Sequence, residues 1–178
     1  MTQLHHRIAT ATDIPAISTL MARAIAINQA AFLTPEQLAA SSLTMGLDTQ
    51  LIDDGTYFFI ERNGVAAGCG GWSFRATLYG GNHSTTLRND RKLDSATEPA
   101  RVRAMYTDPA FVRQGVGRLI LGLCEDAARS AGFKRVELMS TLSGEPLYLA
   151  CGFEPMERVM KMAETGPPVP GVRMGKML

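Results

Sequence analysis

The sequence predicts an α/β domain in which helices flank one central sheet. Helical and strand-like patterns alternate along the 178 residues, and 46% of these are hydrophobic, enough for one buried core. The chain shows no internal repeat and no clear boundary, so residues 1–178 are expected to form a single domain. The 18 basic and 17 acidic side chains are interspersed, so no charged face is expected for a nucleic acid or a membrane surface.

The N-terminal part predicts a short strand at residues 7–9 and two helices. The first helix follows Thr12 and Asp13, whose side chains can cap its N-terminus. The second helix begins after Thr34, because Gln37 stands three residues after that hydroxyl, as a capping box requires. The apolar positions of the first helix recur at intervals of three and four: Ile14, Ile17, Leu20, Met21 and Ala24.

A β-hairpin and a long polar loop are predicted in the middle of the chain. Residues 57–61 and 65–73 are rich in strand formers, and Asn63-Gly64 between them is a strong signal for a tight hairpin turn. Residues 75–99, here called the 75–99 segment, are polar and interrupted by glycines, so no element is assigned to them. Connections much longer than the usual roughly four to six residues are commonly functional or disordered.

The second half of the chain alternates strands and helices again. Residues 101–107 form the next predicted strand, which Asp108-Pro109 ends. A helix then begins at Val116 with apolar side chains at three- and four-residue spacing, and Gly132 stops it. The last predicted elements are a strand at 136–139, a short helix at 144–150, and strands at 153–161 and 172–177.

The stretch FVRQGVGRLI, Phe111 to Ile120, joins the 101–107 strand to this helix. The first N–H groups of a helix lack intrahelical partners, and glycines let an anion approach the backbone. This strand-to-helix turn, here called the corner, therefore suits a phosphate. A P-loop is excluded because no Gly-Lys-Ser/Thr follows, and a dinucleotide fold is disfavoured because Ile120 replaces a third glycine. Glu137 lies about 20 residues further on, as a ribose-binding carboxylate would, but its interpretation as a solvent-facing strand residue explains the position equally well. Taken alone, the two glycines favour a plain tight turn.

Two motifs in order indicate a family. Residues 112–117, VRQGVG, precede the long helix, and Tyr148 is followed four residues later by Gly152-Phe153. Together they resemble the GNAT superfamily of acetyl-CoA-dependent N-acetyltransferases, whose first signature is (Gln/Arg)-x-x-Gly-x-(Gly/Ala). Glu61 and Gly64 of the hairpin are also similar to the Glu-x-x-Gly strand pair of that family. The resemblance spans nearly the whole chain.

That resemblance implies an α+β fold with a mixed, mostly antiparallel sheet, splayed between the strands at 101–107 and 136–140. Acetyl-CoA would bind in the gap without a metal, its pantetheine arm on the strand edge and its pyrophosphate on the glycine corner. Val112, Thr141 and Gly144 depart from the Gln/Arg, Asn and Ala that members carry there. The acetyl-CoA-binding residues implied are Met105, Tyr106, Thr107, Val112, Arg113, Gln114, Gly115, Val116, Gly117, Arg118 and Thr141.

The implied function is N-acetylation of a primary amine, on a small molecule or a protein, by direct attack. Tyr148 would be the general acid that protonates the CoA thiolate, a role that suits a phenol with a pKa of about 10. A non-catalytic acyl-CoA-binding sensor or scaffold of the same fold remains the alternative.

The base that deprotonates the amine stays open in the sequence. An amine with a pKa of about 10.4 is mostly charged at neutral pH, so a base or a desolvated site is needed. Arg101 stands where some family members carry a carboxylate. The candidates are Glu61, Glu98, Glu145, His83 and a water molecule.

The expected partners are acetyl-CoA and an amine acceptor. The 75–99 segment is expected on the acceptor side, where Leu78 and Tyr79 would cover the bound amine. The oligomeric state stays open between a monomer and a homodimer. Three widely spaced cysteines and an N-terminus without an apolar signal segment predict a cytoplasmic protein.

Overall fold

The computed structural model describes residues 3–178, which form a seven-stranded sheet with helices packed against it. The strand order is β1-β2-β3-β4-β5-β7-β6, and every neighbouring pair is antiparallel except β4 and β5. This mixed, mostly antiparallel α/β architecture confirms the predicted fold class. The strands are β1 (His5–Ile8), β2 (Tyr57–Arg62), β3 (Val65–Ser73), β4 (Ala100–Thr107), β5 (Arg135–Thr141), β6 (Glu154–Val159) and β7 (Gly171–Met177). The helices are α1 (Ile14–Asn28), α2 (Pro35–Thr44), α3 (Thr49–Asp53), α4 (Val116–Ser130) and α5 (Glu145–Ala150).

β4 and β5 separate after a short parallel contact. Within residues 3–178 they pair at two positions only, Ala100 with Val136 and Arg101 with Glu137. On the other edge of β4, one extra residue interrupts the pairing with β3 near Ala104, whose φ is 50°. Such a bulge bends a strand and re-aims the residues that follow it. The predicted splay is therefore confirmed, and it leaves a gap between the C-terminal halves of the two strands.

Helix α4 lies unusually close to the sheet because β3 carries glycines beneath it. A Cβ atom on Gly68 would lie 2.4 Å from Val116 Cγ1, and one on Gly70 would lie 2.7 Å from Ile120 Cγ2. Real Cβ atoms do not approach other atoms so closely, so larger side chains would push α4 away. The glycines of β3 thus fix the height of α4, and with it the position of the corner at its N-terminus.

The side-chain cap predicted before α1 was wrong. The Asp13 carboxylate accepts hydrogen bonds from Arg7 Nη1 (2.7 Å) and Thr10 N (2.8 Å) and caps no N–H group of α1.

The capping signal before α2 and the turn signal of the hairpin are confirmed. Thr34 Oγ1 accepts a hydrogen bond from Gln37 N (3.3 Å), and Gln37 Oε1 accepts one from Thr34 N (3.0 Å), which is the capping box expected before α2. Asn63 and Gly64 have φ angles of 53° and 74° between β2 and β3. Both positive angles match the type I′ turn that Asn-Gly favours.

The sequence-based prediction omitted α3. This helix has five residues and begins after Asp48, whose Oδ1 accepts a hydrogen bond from Gln50 N at 3.1 Å. Five residues do not complete two turns, so no apolar periodicity is available to reveal them.

Buried charges anchor the 75–99 segment to β4. Arg103 is 3% exposed and donates to Asp48 Oδ2 (2.9 Å), to the Gly80 carbonyl (2.9 Å) and to the Thr77 carbonyl (3.2 Å). Arg88 donates to the second oxygen of Asp48 at 3.0 Å. Asp48 therefore ties the start of α3, the middle of β4 and the 75–99 segment together.

Glu137 is buried, so its interpretation as a solvent-facing residue was wrong. Its carboxylate accepts hydrogen bonds from Arg101 Nη1 (2.8 Å) and Arg173 Nη2 (2.8 Å), and it is 6% exposed. Arg101 stands directly opposite Glu137 in the β4–β5 register. Two arginines from the neighbouring strands balance its charge, which allows the carboxylate to be buried on a central strand.

Candidate active site

The gap between β4 and β5 opens into a cavity of about 690 Å³. Both splayed strands contribute to its wall, and two groups of loops and helices close its ends. The α4 end is lined from residues 111–118 and 141–150, around the first turn of α4 and around α5. The α1 end is lined from residues 24–32, 45–46 and 78–80 and from residue 162.

The N-terminus of α4 presents unpaired backbone N–H groups to the cavity. Gly115 caps the helix with a φ of 87°, and Arg113 just before it has a φ of 62°. The first α4 hydrogen bond outside this turn runs from Leu119 N to the Gly115 carbonyl (2.9 Å), so the N–H groups of the three residues between them have no helical acceptor. The space around a Cβ built on Gly115 is empty within 4 Å. This corner can accept an anion at a positive helix end.

The residues predicted around this corner line the cavity with one exception. Gln114 is not on the wall; its amide donates to the Ala110 carbonyl (2.9 Å), and its oxygen accepts a hydrogen bond from Arg62. Gly117 lines the cavity, but a Cβ there would lie 2.7 Å from Leu147 Cδ2. Gly117 therefore permits the contact between α4 and α5. The corner residues on the wall are Val112, Arg113, Gly115, Val116, Gly117 and Arg118.

Tyr148 lies on α5 at the side of the cavity. Its hydroxyl is 3.8 Å from Met105 Sδ on β4, and its ring packs edge-on against Phe153 with centroids 5.8 Å apart. Burial is the main cause that raises the pKa of this phenol above its ordinary value. A Cβ on Gly144 would lie 3.1 Å from Tyr148 Cε2, so an alanine there would force the ring to move slightly. Tyr148 is thus a neutral hydroxyl held beside the exposed part of β4.

The end of β4 supplies the remaining predicted contacts. Met105, Tyr106 and Thr107 all line the cavity, as does Thr141 at the end of β5. The phenol of Tyr106 accepts a hydrogen bond from Gly46 N (3.1 Å) and packs in the core under α1. The Thr107 carbonyl accepts a hydrogen bond from Asn28 Nδ2 (2.9 Å). The structure therefore brings these residues together around one gap, with the Tyr106 side chain committed to the α1 layer.

Among residues 3–178, no Asp, Glu or His lines the cavity. Glu145 pairs with Arg158 (2.8 Å), Glu98 with Arg91 (2.7 Å), and Glu61 lies 3.6 Å from Arg7. His83 is exposed at the surface. Leu78 and Tyr79 of the 75–99 segment, in contrast, are on the wall at the α1 end.

Comparison with protein families decides the relationship that these features indicate. A model of the Acetyltransferase (GNAT) family matches residues 23–153. The chain belongs to the GNAT family. The match covers the sheet from β2 to β5, the α4 corner and Tyr148. It ends at Phe153, the last residue of the second motif.

Solved GNAT structures share the fold over the full chain. A GCN5-related N-acetyltransferase from Rhodopseudomonas palustris superposes with a TM-score of 0.73 at 14% identity, over 100% of this chain and 98% of that one. PaiA N-acetyltransferase from Thermoplasma acidophilum, solved with coenzyme A, gives 0.65 at 10% identity over 99% of each chain. The ribosomal-protein-S18-alanine N-acetyltransferase from Escherichia coli gives 0.60 at 18% identity, over 98% and 94%. No curated protein sequence matches the chain.

Three features of the cavity were not predicted from the sequence. They are the bulge at Ala104, the buried guanidinium of Arg103 and the amide of Asn28, which binds the end of β4. Each depends on a partner far away in the chain, so no local pattern marks it. A positive φ at an alanine in a strand also has no sequence signature, because alanine disfavours it.

Three further findings concern the described part of the chain. Across residues 3–178, no helix is long and apolar enough to cross a membrane. The same residues hold no group of three or more His, Cys, Asp or Glu side chains that could bind a metal ion. Cys69 and Cys124 are buried, and Cys151 is partly exposed; all three are free thiols.

Proposed function

We propose that this GNAT protein transfers an acetyl group from acetyl-CoA to a primary amine by direct attack. The observation that carries the proposal is one cavity that joins an anion-binding corner, an unpaired stretch of β4 and the buried hydroxyl of Tyr148. We also propose that all 178 residues act as one domain, because strands from both ends of the chain share the sheet.

The α4 end suits the diphosphate of acetyl-CoA. The N–H groups of residues 116–118 and the open space at Gly115 would receive phosphate oxygens, with Arg113 and Arg118 as charged partners. The edge of β4 beyond Arg101 is not paired with β5, so the backbone of Met105 to Thr107 would hydrogen-bond the pantetheine arm. A thioester supplies the activated acetyl carbon.

The chemistry requires one bond to form and one to break. The neutral amine nitrogen attacks the thioester carbon, a C–N bond forms, and the C–S bond breaks with its electron pair on sulfur. Tyr148 gives its hydroxyl proton to this thiolate, and solvent returns a proton to the phenolate afterwards. Burial raises the pKa of Tyr148, so its hydroxyl is protonated at neutral pH, and the same buried surroundings disfavour a charged thiolate and therefore favour its protonation.

In this proposal, the apolar surroundings of the amine keep it neutral, so that no carboxylate base is needed to deprotonate it before attack. No acidic side chain among residues 3–178 lines the cavity. An apolar site disfavours the charged form of an amine and lowers its pKa, so a larger fraction is neutral there. A water molecule at the open end would take the proton that the nitrogen loses.

Thiol release from acetyl-CoA, measured with a set of primary amines, tests the proposal. We expect amine-dependent release of free CoA and a product heavier than the amine by one acetyl group in mass spectrometry. CoA binding in calorimetry without turnover of any amine would contradict the proposal and favour the acyl-CoA sensor or scaffold.

A further inference from the structure

The α1 end of the cavity is mainly apolar. Phe32 lies at its rim and is 48% exposed, whereas Met162, which reaches the cavity from the β6–β7 connection, is 4% exposed. Met162 packs in a small core with Tyr79, Met139 and Ala40, so this wall is held in place. The apolar side chains at this end are Ala24, Phe32, Met45, Leu78, Tyr79 and Met162.

The charged groups behind this end of the cavity are paired with one another. Arg103 is the one charged residue on the wall outside the α4 corner, within residues 3–178, and its side chain is only 2% exposed. Its Nη atoms are bound to protein acceptors, and its buried Nε has no hydrogen-bond partner. Asp48, the counter-ion of Arg103, also pairs with Arg88 at 3.0 Å. Arg88 also pairs with Asp90 at 3.3 Å, so two carboxylates match the two guanidinium groups and no free negative charge faces the cavity from this cluster.

The two amide side chains at this end already have partners in the protein. Asn28 Nδ2 donates to the Thr107 carbonyl at 2.9 Å. Gln29 is 5% exposed; its Oε1 accepts from Ser41 Oγ at 3.3 Å, and its Nε2 lies 3.5 Å from Met45 Sδ. Asn28 Oδ1 therefore remains as a neutral acceptor, but no carboxylate accompanies it on the wall within residues 3–178.

A carboxylate does stand behind the wall, at Glu164. It influences Tyr79, whose pKa is raised first by burial and then by the charge of Glu164. Glu164 itself does not line the cavity, and its buried Oε1 has no hydrogen-bond partner. Glu164 is therefore a carboxylate near Tyr79 but off the wall, and a Glu164→Gln variant measures its contribution to amine selection.

We infer that the acceptor is a primary amine with an apolar substituent and no second positive charge. The inference rests on the proposed function and names the substrate class of the same cavity. A second ammonium would lose its hydration against methionine, leucine and aromatic side chains and would find no carboxylate on the wall to pair with. Diamines and polyamines are therefore poor substrates, and a monoamine of equal length is a good one.

Two amines that differ only at the far end test this class: n-hexylamine and 1,6-diaminohexane. Steady-state thiol release with saturating acetyl-CoA gives kcat/KM for each. We expect n-hexylamine to exceed the diamine by about tenfold or more, since the cost of burying an unpaired charge is large. Equal values or a preference for the diamine would overturn the inference, and the loss of such a diamine preference in Glu164→Gln would assign it to Glu164.

A variant pair locates the discrimination at the α1 end. Phe32→Glu places a carboxylate at the half-exposed rim of the cavity, where it remains hydrated and compatible with folding. Leu43→Glu is the control, because Leu43 is 62% exposed on α2 and does not line the cavity. We expect Phe32→Glu to shift the ratio of the two kcat/KM values toward the diamine by about two- to fivefold, and Leu43→Glu to leave it unchanged. An unchanged ratio in both variants would overturn the inference.

Failure of the inference differs from failure of the proposed function. Turnover of both amines with the wrong preference overturns the substrate class and leaves the acetyltransferase in place. Calorimetric CoA binding without turnover of either amine, or of any other amine tested, overturns the acetyltransferase and the substrate class with it.

Discussion

The two ends of the cavity are built in different ways. The α4 end comes from two short stretches of chain, 111–118 and 141–150, and its shape depends on local backbone angles and on the start of one helix. The α1 end is assembled from four separate places, and a buried ion pair between Arg103 and Asp48, 55 residues apart, holds it together. The α4 end is thus a backbone site, whereas the α1 end is a side-chain site.

This difference has a functional consequence. A backbone corner binds any ligand that carries the same diphosphate, so it suits a common donor. A side-chain wall changes with each substitution, so it suits the selection of one acceptor. Variants at the two ends should therefore separate donor binding from acceptor use, and Tyr148, whose hydroxyl lies beside Met105 of β4 at the α4 end, should affect the reaction itself.

Tyr148→Phe is expected to have the largest effect, because it removes the proposed proton donor and nothing else. We predict that kcat falls by about 10²- to 10⁴-fold, while the CoA dissociation constant in calorimetry stays the same. Tyr57→Phe is the control: that buried phenol lies off the cavity wall and donates to the Ala104 carbonyl at 2.7 Å. A Tyr148→Phe enzyme with wild-type kcat would make the residue purely structural.

Arg103→Met comes next and affects the α1 end. It removes one partner of a pair whose side chains are both 2% exposed, which should lower the free energy of unfolding by about 3 kcal/mol. Urea denaturation measures this loss. Arg129→Met removes the exposed i,i+3 pair with Asp126 and should change stability very little. Equal losses in the two variants would show that the buried pair does not hold the α1 end.

Gly115→Ala affects the α4 end. The added methyl meets no protein atom within 4 Å, so the cost comes from the φ of 87°, about 1 to 2 kcal/mol, and from crowding the anion. We predict that the CoA dissociation constant rises by about tenfold. Gly55→Ala is the matched control, since Gly55 has a φ of 70°, equally empty surroundings and no place on the cavity wall. Its CoA affinity should not change; a similar loss in both variants would refute the anion corner.

Leu78→Ala is the mildest change and concerns acceptor use. Loss of this side chain should raise the KM of the amine by about 3- to 10-fold and leave CoA affinity unchanged. A single side chain is a sharper probe than replacement of residues 77–96, which would also remove the Thr77 and Gly80 carbonyls that Arg103 binds. The control is Leu43→Ala on the exposed face of α2. If amine KM is the same in both variants, the 75–99 segment does not contact the acceptor.

Sequence reasoning succeeded where the physics is local. The capping box at Thr34, the turn at Asn63-Gly64 and the corner at Gly115 each depend on residues within four positions of one another. Propensity, capping and turn rules act over this range. The same range made the α4 end recognisable, because both family motifs are short.

The rest could not be predicted because it depends on distant partners. Glu137 was interpreted as a surface residue because Arg101 and Arg173, which bind its carboxylate, are each 36 residues away in the chain. Helix α3 was too short to show a period. The chemistry of the α1 end arises only when Arg103 meets Asp48 and the 75–99 segment, a convergence that no single stretch of sequence encodes.

A two-substrate steady-state assay on Gly115→Ala and Leu78→Ala tests the division of the cavity most directly. Both KM values are measured in each variant with acetyl-CoA and n-hexylamine. We predict that Gly115→Ala raises the KM of acetyl-CoA alone and that Leu78→Ala raises the KM of the amine alone. A rise of both KM values by the same factor in each variant would contradict a cavity with separate donor and acceptor ends.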